Sequence, residues 1–138
     1  MSDIVKCFRE KTNKLFSKID GYSASELEQM IHERIEDMVE EYSLDVVIGE
    51  VVLSGSRSRG LEHKDSDLDF VVFFSGAIRE DVMFDILNEP DYTIGGIKVD
   101  INPIKGDKSG PLDDYLIDVE RHLTSQKEQN KKNNIKIV

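Results

Sequence analysis

LSGSRSRG at residues 53–60 and SDLDFVVFF at residues 66–74, with five residues between them, decide how this chain is read. Phe70-Val71-Val72-Phe73-Phe74 runs without a polar break. Such a run of aromatic and β-branched residues predicts a strand, over 67–74, whose body is buried on both faces. Asp67 and Asp69 stand two apart at its mouth, so a strand sends both carboxylates from one face. Neighbouring carboxylates repel each other and lose hydration, a costly arrangement unless a cation lies between them. Oxygen ligands favour a hard divalent ion, Mg²⁺ first and Mn²⁺ as its substitute. Upstream, residues 46–53 predict a strand that ends in Ser54-Gly55-Ser56. Small residues there let backbone N–H groups and a hydroxyl come close to a phosphate. Taken singly, an Asp-x-Asp is more often a solvated strand end, and Ser-Gly-Ser is ordinary turn chemistry. The order and spacing of the two pieces carry the signal.

Outward from this centre, the N-terminal side predicts two helices within residues 2–43. Ile4, Val5, Phe8, Leu15, Phe16 and Ile19 recur at helical spacing, and Gly21-Tyr22-Ser23 interrupts the pattern. The second helix opens on a capping box, Ser23 with Glu26 or Ser25 with Glu28, and carries the apolar stripe Leu27, Met30, Ile31, Ile35, Met38, Val39 and Tyr42. Downstream of the Asp67 strand, Val82, Met83, Ile86 and Leu87 mark a short helix over 79–88, before Pro90. Residues 92–104 predict two short strands around the Gly95-Gly96 turn. Asp100 is the acid of the second of these, flanked by Val99 and Ile101. Placed beside the Asp67 strand, it would bring three carboxylates around one or two metal ions, the layout of two-metal phosphoryl transfer. Pro111 suits the first turn of a last helix over 111–124, and residues 127–138 predict a fraying polar tail. The fold class expected is α+β: a small mixed sheet over 46–104 flanked by helices, in a single domain spanning 1–126.

Composition narrows the function classes. The chain has 138 residues and a formal charge of −10. Nonspecific DNA binding is not expected of it, because that needs a basic surface to displace counterions. The same charge makes divalent ions the natural means of holding an anionic nucleotide. No apolar run approaches the roughly 18–20 residues of a membrane span, and the N-terminus lacks a secretory apolar region, so no membrane role and a cytoplasmic location are expected. Cys7, alone, forms no internal disulfide and lies on the apolar side of the first helix. His32, His63 and His122 lack metal-ligand spacing.

The stretch Gly55-Ser56-Arg57-Ser58-Arg59-Gly60, a five-residue loop and Ser66-Asp67-Leu68-Asp69 resembles the signature of the DNA polymerase beta-like nucleotidyltransferase superfamily, and within it the minimal nucleotidyltransferases of bacteria and archaea. The likeness is dense over Leu53 to Val72 and extends to Asp100. The resemblance implies that Gly55 and Ser56 hold the β- and γ-phosphates of a nucleoside triphosphate, and that Asp67 and Asp69 ligate the metals. Asp100 would be the third ligand and would help deprotonate the attacking hydroxyl. Arg59, and with it Arg57 and Lys64, lies in the intervening loop within reach of a triphosphate. Ser66 is read as shaping the turn. The implied reaction moves an NMP, AMP foremost, from an NTP to a hydroxyl on a protein, an RNA or a small molecule, and releases pyrophosphate. Larger relatives add a domain that shapes the base or acceptor pocket, whereas here only a helix and tail follow Ile104. The acceptor site is therefore expected to be shallow, shared with a partner, or completed by a second copy. The alternative reading is an antitoxin or partner-binding module, with a toxin partner or a homodimer, that keeps the fold for interaction.

Overall fold

The computed structural model describes residues 3–107 and 110–137, with side chains described to residue 130. Helix α1 (Asp3–Leu15) is followed by a tight turn closed by the Ile19–Tyr22 bridge, then by helix α2 (Ala24–Glu41). The α2 cap is Ser23: its hydroxyl accepts from the Glu26 N–H, and the Glu26 carboxylate accepts from the Ser23 N–H. Of the two capping boxes readable in the sequence, this is the one formed.

Strand β1 (Val46–Ser54) leads through a single 3-10 turn (Ser56–Arg59) and a loop into β2 (Leu68–Gly76). Helix α3 (Glu80–Asn88), the two-residue strand β3 (Thr93–Ile94) and strand β4 (Ile97–Lys105) follow, and α4 (Gly110–Ile137) ends the described chain. The sheet order is β1-β2-β4-β3. β1 and β3 are antiparallel to their neighbours, while β4 runs parallel to β2. A parallel neighbour requires a crossover, and α3 with β3 supplies it. The mixed sheet and α+β class expected from the sequence are the ones observed.

Both faces of β2 are covered. Leu68, Phe70, Val72 and Phe74 pack with Leu27, Ile31 and Ile35 of α2 and with Met83 and Leu87 of α3. On the opposite face Val71 and Phe73 meet Val5 and Phe8 of α1 and Leu112 and Leu116 of α4. Burial of Phe70 through Phe74 on both sides follows from this sandwich, as their unbroken apolar run required. Three boundaries differ from the sequence reading. Helix α1 stops at Leu15, so Phe16 and Ile19, counted in its apolar stripe, lie beyond it. Asp67 precedes the first residue of β2. The last helix continues through the expected tail to Ile137, so the polarity of residues 127–137 marks a hydrophilic helix and not its end. Lysine, glutamate and glutamine sustain helical backbone well, which is why polarity alone is a poor stop signal.

α3 lies along the outer edge of β4. The Asn88 side-chain amide donates to the Ile101 carbonyl and accepts the Ile101 N–H, and Glu80 accepts the Lys105 N–H. These contacts satisfy strand groups beyond the short reach of β3, and they place α3 beside the strand that bears Asp100.

Candidate active site

The ends of three strands meet at one cavity. In the parallel ladder Asp69 of β2 is the register partner of Asp100 of β4, and in the antiparallel ladder Asp69 faces Ser54 of β1. Along β4, Val99 and Ile101 enter the core under α2, so Asp100 and Asn102 alternate to the opposite face. Asp69, Asp100 and Asn102 all line a cavity of about 690 Å³ together with Gly55 and Ser56. That volume falls within the range of small-molecule sites, about 300–1,000 Å³.

The crowding of acids is visible in the chemistry of Asp69. Its carboxyl is pushed up from the ordinary 3.8 to about 6, by burial first, then by the charges of Asp100 and Asp67, with Arg57 opposing. Such a donor set suits a hard cation, whose charge would replace the lost hydration and relieve the repulsion between carboxylates. Asp69 and Asp100 are brought together by pairing, whereas Asp67 stands just before the ladder that starts at Leu68. Among the described residues no three His, Cys, Asp or Glu side chains converge as a finished metal cage. Asp69 and Asp100 form a register-paired couple, and Asp67, just before the ladder, adds its charge to theirs.

Gly55 is required by two constraints. Its φ of 77° belongs to the left-handed region. A Cβ at this position would also collide with the Asp69 carboxylate, standing 3.0 Å from its Cβ and Cγ. The glycine therefore lets the end of β1 close onto the acid. The turn after it is held by Ser58, whose hydroxyl donates to the Gly55 carbonyl at 2.6 Å.

The loop joining the two motifs is tied at Ser66. Arg57 donates to the Ser66 carbonyl through Nε and Nη2 at 3.1 and 2.9 Å. The Ser66 hydroxyl accepts from the His63 N–H at 3.0 Å and from the Ser56 hydroxyl at 3.4 Å. Ser66 thus shapes the turn, and Arg57 braces it while its charge reaches Asp69. Lys64 is exposed.

Arg59 departs from the sequence reading. Its guanidinium donates to Glu120 at 2.8 Å, to the Thr12 hydroxyl at 2.7 Å and to the carbonyls of Ser58 and Phe8. It also lies over the Phe8 ring, 4.1 Å from the centroid. With its side chain only 6% exposed, Arg59 joins α1, the 3-10 turn and α4 and is absent from the cavity lining. Its assignment as a nucleotide ligand is corrected to a structural one. A 3-10 turn advances each side chain by about 120°, so Arg57 and Arg59, two residues apart, leave it in different directions.

The sequence reading also missed cavity residues. Asn102 follows Asp100 by two and shares its face, a signal that period-two alternation carries. Phe84 of α3 and Tyr115, Asp118, Val119 and His122 of α4 complete the walls. Tyr115, Asp118, Val119 and His122 recur at i, i+3, i+4 and i+7, one helix face, but nothing local says that this face overlooks the carboxylates. A family model described as a nucleotidyltransferase domain matches residues 31–136. No curated protein and no solved structure gives a significant match.

Proposed function

We propose, for a chain that belongs to the nucleotidyltransferase domain family, transfer of a nucleoside monophosphate, AMP foremost, from an NTP to a hydroxyl on a protein, an RNA or a small molecule. Pyrophosphate leaves as the α-phosphate changes partners. The observation that carries this reading is the pairing of Asp69 with Asp100 in a cavity shared with Gly55 and Ser56.

Gly55 and Ser56 receive the β- and γ-phosphates, because a residue without a side chain and a short hydroxyl leave room for close approach. Asp69, Asp100 and the neighbouring Asp67 would hold Mg²⁺, or Mn²⁺ in its place. When bound, that ion supplies charge neutralisation for the triphosphate and polarises the phosphorus under attack. Asp100 accepts the proton of the incoming hydroxyl, and its carboxylate stands on a rigid central strand that limits its wandering. Arg57 keeps the Gly55-Ser56 turn and the Asp67 loop in fixed relation through Ser66. The chain's net charge of −10 opposes the approach of an anionic substrate, and a cation at this site would offset it.

Isothermal titration with Mg²⁺ and each NTP tests the proposal. Wild-type protein is expected to bind an NTP only with the metal present, and Asp67→Asn with Asp69→Asn is expected to abolish that binding. Metal-independent binding, or unchanged behaviour of the double variant, would refute it. Incubation with labelled NTPs and a lysate then reads which base is consumed and which acceptor becomes labelled.

A further inference from the structure

The cavity has two chemically different halves. Its sheet side carries the acids and the Gly55-Ser56 turn, and its flanks supply the aromatic and apolar side chains, interspersed on α4 with Asp118, His122 and Gln126. Phe84 reaches it from α3, and Tyr115, Val119 and Leu123 reach it from α4. Met83 and Leu87 of α3 are buried in the core, whereas Val82 and Phe84 are exposed, and of these two it is Phe84 that borders the cavity. Between these flanks, on the sheet face, stands Asn102, two residues beyond Asp100 on the same strand. The triphosphate of an NTP has no use for aromatic walls, and its base does.

We propose that Phe84 and Tyr115 form the stacking walls for the nucleobase of the NTP, and that Asn102 reads its edge and makes adenine the preferred base. The inference rests on the nucleotidyl-transfer reading above and names the residues that set its specificity. Adenine offers a wide flat face, and stacking of a base on an aromatic side chain is a strong, solvent-excluding contact. A side-chain amide presents one donor group and one acceptor, the complement of adenine N7 and N6–H₂. Guanine presents two acceptors along that edge, so the amide oxygen would meet another acceptor. Both flanks come from elements of this chain, Phe84 from α3 and Tyr115 from α4.

The test compares Mg²⁺-dependent binding of ATP, GTP, UTP and inorganic tripolyphosphate to wild type, Phe84→Ala, Tyr115→Leu and Asn102→Ala. Thermal melting accompanies each variant; Tyr115→Leu keeps apolar volume in case the larger truncation disturbs folding. Wild type is expected to bind ATP more tightly than GTP or UTP. Phe84→Ala and Tyr115→Leu are each expected to weaken ATP about tenfold and leave tripolyphosphate unchanged. Asn102→Ala is expected to erase the preference for ATP over GTP. Equal binding of all three NTPs by wild type, or ATP affinity unchanged in both wall variants, overturns the base-wall assignment while nucleotidyl transfer stands. Binding of neither tripolyphosphate nor any NTP overturns the reading on which the assignment rests, and the assignment with it.

Discussion

Asp69 is held in a protonation balance that the fold itself unsettles. Its carboxyl titrates at about 6 against an ordinary 3.8, so between those values the folded chain binds more protons than the unfolded one. Stability from this group therefore falls as pH rises through that window, and above it the full penalty remains. Two units correspond to about 3 kcal/mol, which solvent screening of a partly exposed group reduces to about 1 kcal/mol. Without divalent ions, Asp69→Asn is expected to stabilise the protein by that amount above pH 6, and the gain should vanish toward pH 4, as urea titrations across pH would show. Added Mg²⁺ should raise the melting temperature of wild type and leave the variant unmoved. Arg59 makes the opposite case: an arginine beside a phosphate-type motif that serves packing. Arg59→Ala leaves Glu120 without one of its cations and Thr12 without its donor, at an expected cost of about 3 kcal/mol. Equilibrium unfolding measures that loss, while NTP affinity in the folded fraction should stay within about twofold of wild type. The presence of two arginines in the loop was legible; the direction of each guanidinium was not, because it depends on which helices pack around the turn.

At the level of elements, β1 shows how an edge strand is protected. Among the described residues β1 pairs only with β2, and its other side is met by side chains. Glu28 of α2 accepts the Leu53 N–H at 2.7 Å, and Arg9 of α1 donates to the Val51 carbonyl at 2.6 Å. Arg9 also pairs with Glu28 at 3.2 Å and with Glu50 at 2.6 Å, so the two capping groups neutralise each other. An open edge invites pairing with another chain, and these contacts close the part nearest the Gly55 turn. Glu28→Ala is expected to cost about 2–3 kcal/mol by orphaning the buried Leu53 N–H and removing one of the two carboxylates that pair with Arg9. Glu28→Gln, which keeps an acceptor oxygen, should recover part of it; chemical denaturation of the pair provides the check. In the sequence Glu28 reads equally well as a capping-box partner of Ser25, and only the packing of α2 on β1 shows where its carboxylate goes. The α2 stripe and the continuous apolar run of β2 were readable because each states its own burial. The far end of α4 was not, since a polar helix and a polar tail share one composition.

For the whole molecule, an excess of ten negative charges on 138 residues makes self-repulsion a general load on the folded state. Raising NaCl from about 50 to about 500 mM is expected to increase the melting temperature by a few degrees through screening. Scanning calorimetry in a buffer free of divalent ions measures it without interference from the active site. No helix among the described residues is long and apolar enough to cross a membrane. The Gly55-Ser56 turn and the buried strand that bears Asp69 were legible in the sequence alone, because small residues mark a turn and an unbroken apolar run states its own burial. Local chemistry also set the α2 cap. Tertiary structure alone decided that Asp100 stands beside Asp69, that Arg59 turns away, and that Phe84, Asn102 and Tyr115 look onto the same cavity. Those placements follow from covering both faces of β2 at once: the parallel crossover brings β4 and α3 to one side of it, and α4 must lie over the face that carries the acids.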